Sequence, residues 1–167
     1  MKKIVSYMMT GILLLSFLLT GCGSPEPQTG KKMSMYYINT AETKVEVHEQ
    51  YLNTKTLDEQ LDETMRYLST TPEKLEYKAP LDMGFRVLDY EVEDGKLLIN
   101  VDKAYSELSP TTEVLVRAAI VRTLTQLPNV KYVGITVEDS QLYDNAGELV
   151  GWMNADQFIN NDGNEIN

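Results

Sequence analysis

The sequence predicts an α+β domain: a two-layer sandwich in which a mixed β-sheet carries two α-helices packed on one face, in the order β-β-α-β-β-α-β plus a tail. Three observations carry this. Two segments have helical apolar spacing with N-terminal caps, several others alternate apolar and polar residues with period two, and an Asp-Gly pair joins two of the alternating runs. Hairpins that alternate with helices leave each sheet face to be covered by a helix, which is the α+β solution.

Taken in order, Met33 to Asn39 (MSMYYIN) and Lys44 to Leu52 (KVEVHEQYL) read as strands around the polar turn TAET. In the second, Val45, Val47 and Tyr51 are expected to face inward and Glu46, His48 and Gln50 outward. His48 is the only histidine, and a zinc site needs several convergent ligands, so a solvated side chain is expected. In TLDEQLDETMRYLSTTP, Thr56 and Glu59 have capping-box spacing. Leu57, Leu61, Met65 and Leu68 form the apolar stripe, and Pro72 closes the helix. Asp58, Glu59, Asp62 and Glu63 fit a solvated face near the positive end of the helix dipole rather than a catalytic cluster.

FRVLDYEVEDGKLLINVD reads as a hairpin turning at Asp94-Gly95, with Leu88, Tyr90 and Val92 on one strand face and Leu97, Ile99 and Val101 on the other strand's matching face. The second helix has Ser109 as N-cap and Pro110 at its first position. Val114, Leu115, Val116, Ala118, Ala119, Ile120, Val121, Leu124 and Leu127 cover most of its circumference, so it is buried on more than one side, against the first helix or a partner. Pro128-Asn129 ends it, and KYVGITVED is the last regular strand. In the tail, DNAGE lacks the ligand spacing of a calcium loop and reads as a turn. Trp152, Met153, Phe158 and Ile159 are expected to lay the end of the chain back on the core.

Ahead of this domain, MKKIVSYMMTGILLLSFLLTG has the positive start and apolar run of a signal peptide. The run is short of the about 20 residues of a membrane-spanning helix, although a single uncleaved span is the alternative. Leu19-Thr20-Gly21-Cys22 resembles the lipobox of bacterial lipoproteins. That resemblance implies a diacylglyceryl group on the Cys22 sulfur and cleavage just before it. Cys22 is the sole cysteine, so neither an intrachain disulfide nor a cysteine metal cluster is open to the chain. SPEPQTGKK reads as a flexible tether. The organisation is then signal peptide 1–21, lipidated cysteine and tether 22–32, one domain 33–160 and a polar tail 161–167. The domain, at roughly 130 residues, is of ordinary single-domain size.

The chain has a net charge of −10. Loss of the signal peptide removes Lys2 and Lys3 from the 15 basic residues and none of the 25 acidic ones, leaving about −12. That balance excludes nucleic acid as a partner and a body lying flat on anionic lipid.

The element order and several segments resemble the GerMN (Germane) domain of sporulation and spore-germination proteins. The residues are MYYI at Met35 to Ile38, FRVLDYEVEDGKLLINVDKAYSEL at Phe85 to Leu108, and AAIVRTLTQLPNVKYVGITVED at Ala118 to Asp139. The loop TTPEKLEYKAPLDMG departs from the family in lacking a Gly-Pro step, and one copy of the domain is present. The resemblance implies a non-enzymatic envelope module that works by protein contacts, without catalytic residues, cofactor or metal. The expected protein is therefore held on the extracytoplasmic face of the cell membrane by its lipid anchor, in contact with an envelope protein partner. The second helix, or tyrosines such as Tyr36, Tyr37 and Tyr143, are the expected contact surface. The alternatives are a peptidoglycan- or carbohydrate-binding module and a hydrolase using Asp89 and Glu91, which share a strand face.

Overall fold

The computed structural model describes residues 30–71 and 76–158. The segments expected as signal peptide and polar tail, Cys22, most of the expected tether, Pro72 and Ile159 lie outside the described residues.

β1 (Lys31–Asn39) and β2 (Val45–Leu52) form an antiparallel hairpin that runs in continuous register from Lys31↔Leu52 to Ile38↔Val45. β1 starts two residues before Met33, because Lys31 and Lys32 already pair with the end of β2. At the turn, the Asn39 carboxamide oxygen accepts from the N–H groups of Thr43 and Lys44, which lets Glu42 adopt φ 54°. The register also sets the phase of β2. Gln50, His48 and Glu46 stand opposite the buried Met33, Met35 and Tyr37, and Leu52 is fully buried. His48 is thus half-buried on the helix side, while Val47 is 55 % exposed, the reverse of the phase expected from alternation. The three large β1 side chains fill that side of the hairpin and make it the inner one, so the polar row of β2 is carried inward with them.

α1 (Leu57–Leu68) has the expected capping box: the Thr56 hydroxyl accepts from Glu59 N–H and the Glu59 carboxylate accepts from Thr56 N–H. Leu61, Met65 and Leu68 are buried. Glu63, expected on the solvated face, is buried as well, because its carboxylate accepts from Asn53 N–H, Thr54 N–H and the Thr54 hydroxyl and so ties the β2–α1 loop to the helix.

The short β3 (Tyr77–Lys78) pairs with Ile38 and Asn39 of β1, completing a sheet of order β2-β1-β3. β4 (Val87–Glu93) and β5 (Lys96–Val101) form the expected hairpin, with Asp94 at φ 50° and Gly95 at φ 80°, both left-handed as a two-residue turn of type I′ requires. A β-bulge between Val87 and Asp89 shifts the register, so Val87, not Leu88, joins Tyr90 and Val92 on the inner face, and Leu88 is 48 % exposed. After a 3₁₀ turn (Lys103–Glu107), α2 (Pro110–Leu124) crosses over to β6 (Tyr132–Val137), which lies parallel to β5. β7 (Ser140–Gln141) extends this second sheet to the order β4-β5-β6-β7.

The α+β class with two helices stands, and the strands divide between an antiparallel and a mixed sheet. The division has a local cause. Along β1 the edge beyond β3 is occupied by side chains of α2 and its C-terminus: Ser34 N–H donates to the Gln126 carboxamide, Tyr36 N–H to the Thr123 hydroxyl, and Gln126 Nε2 to Ser34 C=O. A helix thereby satisfies backbone groups that another strand would otherwise pair. α2 contacts both sheets and α1, which explains why it is apolar nearly all round.

Candidate functional site

Burial of α2 within the chain removes it as a contact surface and directs attention to the outer face of the four-stranded sheet. Leu97, Ile99 and Val101 of β5 and Val133 and Ile135 of β6 point into the core. The pleat must therefore turn their neighbours outward. On that face stand Asp89, Glu91 and Glu93 from β4, Lys96, Leu98 and Asn100 from β5, and Tyr132, Gly134 and Thr136 from β6.

The tail completes the face. Met153 bridges to Val133 and is buried, which sets Trp152 over Gly134. A Cβ at Gly134 would meet the indole at 2.8 Å and Leu98 Cδ1 at 3.2 Å, so the absent side chain is what lets the ring lie on the sheet. The Lys96 ammonium sits 5.2 Å from the indole centroid in a cation–π contact. Tyr143 bridges to Leu149 alongside, and its hydroxyl donates to Gln141 on β7. Among the described residues, Trp152 (42 % exposed), Tyr132 (40 %), Tyr143 (56 %) and Leu149 (51 %) are four of the six large exposed apolar side chains, so the sheet face and the segment after β7 carry most of the exposed apolar surface.

An acidic flank borders this aromatic area. Glu91, Glu93, Asp94, Lys96, Leu98 and Trp152 line a shallow cleft. At the far end Asn100, 4 % exposed, donates to the carboxylates of both Asp89 and Asp139 and accepts from Asp139 N–H. These bonds fasten the β6–β7 turn, where Glu138 (φ 48°) and Asp139 (φ 62°) both hold left-handed backbone.

Of the expected contact residues, Tyr143 is exposed on the segment that follows β7. Tyr37 is not: it is fully buried, and burial pushes its hydroxyl up to about 12. Tyr36 is half-buried with the Arg122 guanidinium 4.1 Å from its ring centroid. Trp152, expected to pack on the core, lies half-exposed over Gly134 on the outer face, while Met153 takes the core position. The glycine of KYVGITV is the sequence signal for this arrangement, because a strand glycine marks a close approach. Asp89 and Glu91 do share a face as expected, but Asp89 is held by Asn100 at the sheet end. Among the described residues no group of three or more His, Cys, Asp or Glu side chains could hold a metal ion, and no helix is long and apolar enough to cross a membrane. Within the core, Tyr105 donates to Glu113 at 2.9 Å and Arg117 pairs with Glu113 at 2.6 Å, a buried set that fixes the 3₁₀ turn against α2.

This arrangement of two helices and two sheets is the fold of GerMN domains. The first GerMN domain of the sporulation protein GerM from Bacillus subtilis aligns with a TM-score of 0.55 at 14 % identity, covering 72 % of this chain and 94 % of that one. The tandem GerMN domains of the same protein align with a TM-score of 0.53 at 18 % identity, covering 81 % of this chain and 49 % of that one, so the chain spans about half the length of the tandem structure. The family described as "Sporulation and spore germination" (Germane) matches residues 34–143, and the chain belongs to that family. No curated protein matches it.

Proposed function

We propose that the chain is a cell-envelope lipoprotein whose Germane domain serves as a non-enzymatic docking module in sporulation or spore germination. In this reading Cys22 carries the lipid, the tether spaces the domain from the extracytoplasmic face of the membrane, and the outer face of the four-stranded sheet receives a protein partner. The observation that carries it is the exposure of Trp152 and Tyr132 on the outer face of the four-stranded sheet, with Tyr143 and Leu149 exposed on the segment that follows β7. Exposed aromatic clusters of this kind are typical anchors of protein interfaces. Photo-crosslinkers placed at Tyr132 and Tyr143 in growing and in sporulating cells test the reading. Capture of one defined envelope protein at both positions is expected, and its absence from both cultures would overturn the proposal.

A second reading has its own observation: Trp152 beside Glu91, Glu93 and Asp94 combines a stacking ring with hydrogen-bond acceptors suited to sugar hydroxyls. Retention of the protein on purified cell wall, lost in Trp152→Ala, would favour peptidoglycan over a protein partner.

A further inference from the structure

Strand β4 borders the aromatic face and ends the four-stranded sheet. β5 occupies one of its edges, and no strand pairs with the other among the described residues. A seven-residue strand with one free edge presents backbone N–H and C=O groups to which an extended polypeptide can add.

The side chains of β4 specify what would fit. Asp89, Glu91 and Glu93 lie at alternate positions on the outer face, and Val87, Tyr90 and Val92 lie on the inner one. None of the three carboxylates takes part in an ion pair among the described residues. Asp94 adds a fourth carboxylate at the turn.

Resting on the docking role proposed above, the geometry points to the partner's chemistry: an extended segment in which Lys or Arg alternates with apolar residues, added as a strand to the free edge of β4. Its basic side chains stand beside Asp89, Glu91 and Glu93, and its apolar ones continue the inner row of Val87, Tyr90 and Val92. Opposite charges on neighbouring strands attract and like charges repel. A second copy of this chain is the wrong occupant, because edge-to-edge pairing would set carboxylate against carboxylate between two molecules that each carry −10. The bulge and the acidic row thus turn away like strands while selecting a basic one.

Hydrogen exchange and binding on the full-length protein in detergent micelles test this with a peptide of about ten residues alternating Lys and Val, long enough to span the strand. The controls are a Glu-Val peptide and the Lys-Val peptide N-methylated at alternate amides. The Lys-Val peptide is expected to slow exchange at the amides of Val87–Glu93 and to bind more weakly as salt screens the charges. The double variant Glu91→Lys/Glu93→Lys is expected to weaken it about tenfold, because two cross-strand attractions are lost and two like-charge repulsions are gained. Glu91→Gln/Glu93→Gln gives an intermediate loss and replaces the reversal if that disturbs folding. Equal binding of either control peptide, unchanged affinity in the charge variants, or no protection of β4 would overturn the inference. Protection that grows with protein concentration in the absence of peptide would instead assign the edge to a second copy. If crosslinkers at Tyr132 and Tyr143 still capture a partner while the peptide fails, the edge inference falls alone; if they capture none, the docking role itself falls.

Discussion

Gly134 and Trp152 show how one missing side chain shapes the candidate surface. Gly134→Val puts branched carbon where the indole now lies, 2.8 Å from a Cβ, and backbone strain is not involved because Gly134 does not have positive φ. The ring must lift away. The substitution is expected to cost about 1–3 kcal/mol by overpacking. Trp152 is the only tryptophan, so its emission reports the site directly: acrylamide quenching should rise while the far-UV circular dichroism stays unchanged. Unchanged quenching would show that the ring does not rest on Gly134. Glu42 is a second informative residue. Hydrogen bonds from Lys78 and then Thr112 hold its carboxyl below the ordinary 4.5 and join the β1–β2 turn to β3 and the start of α2. A lowered folded value means that this contribution is present above 4.5 and is lost as pH falls through the lower folded value. Glu42→Gln should therefore be less stable than wild type at pH 7, with the difference shrinking on acidification, as urea unfolding at several pH values would measure. Glu42 stands in the polar turn that the sequence marks plainly, yet Thr112 is seventy residues away, and nothing local announces that bond.

At the scale of elements, the caps and turns were legible because their causes are local. Thr56 and Glu59 close α1 as their spacing requires, Asp94-Gly95 makes the hairpin turn, and Ser109-Pro110 starts α2. Phase was harder. Alternation in β2 and β4 gives two faces but does not say which is inward, and a single extra residue at the β4 bulge moves Leu88 out and Val87 in. α2 is the element read as buried on more than one side, with α1 as one possible cover; α1 does pack on it, and both sheets cover it as well. Its polar residue Thr123, and Gln126 just past its C-terminal end, cover the edge of β1. Thr123→Val keeps the shape but leaves the Tyr36 N–H without its acceptor, at an expected cost of about 1–3 kcal/mol. Thermal melts should show the loss, and earlier-eluting species should appear on size exclusion if the bared edge then pairs between molecules. A melting temperature equal to wild type would mean that the edge is not sealed by this bond.

For the whole molecule, the proposed lipid anchor and the proposed docking face are separable. Cys22→Ser should abolish lipid labelling and release or misprocess the protein, while the melting temperature of the domain remains that of wild type, since the core is built from β1 onward. Lipid labelling that persists in Cys22→Ser, or labelling absent from the wild type, would count against lipidation at this cysteine. By itself the sequence determined the α+β class, the two capped helices and the order of the five longer strands around them, since these depend on residue spacing and local hydrogen bonds, while the two-residue strands β3 and β7 are too short to leave a pattern. The tertiary structure decided the split into two sheets, the inward face of β2, the enclosure of α2 and the emergence of Trp152 rather than Tyr37 at the surface. Each of these depends on which distant segments meet, and an apolar side chain looks the same in sequence whether its neighbour covers it or solvent does.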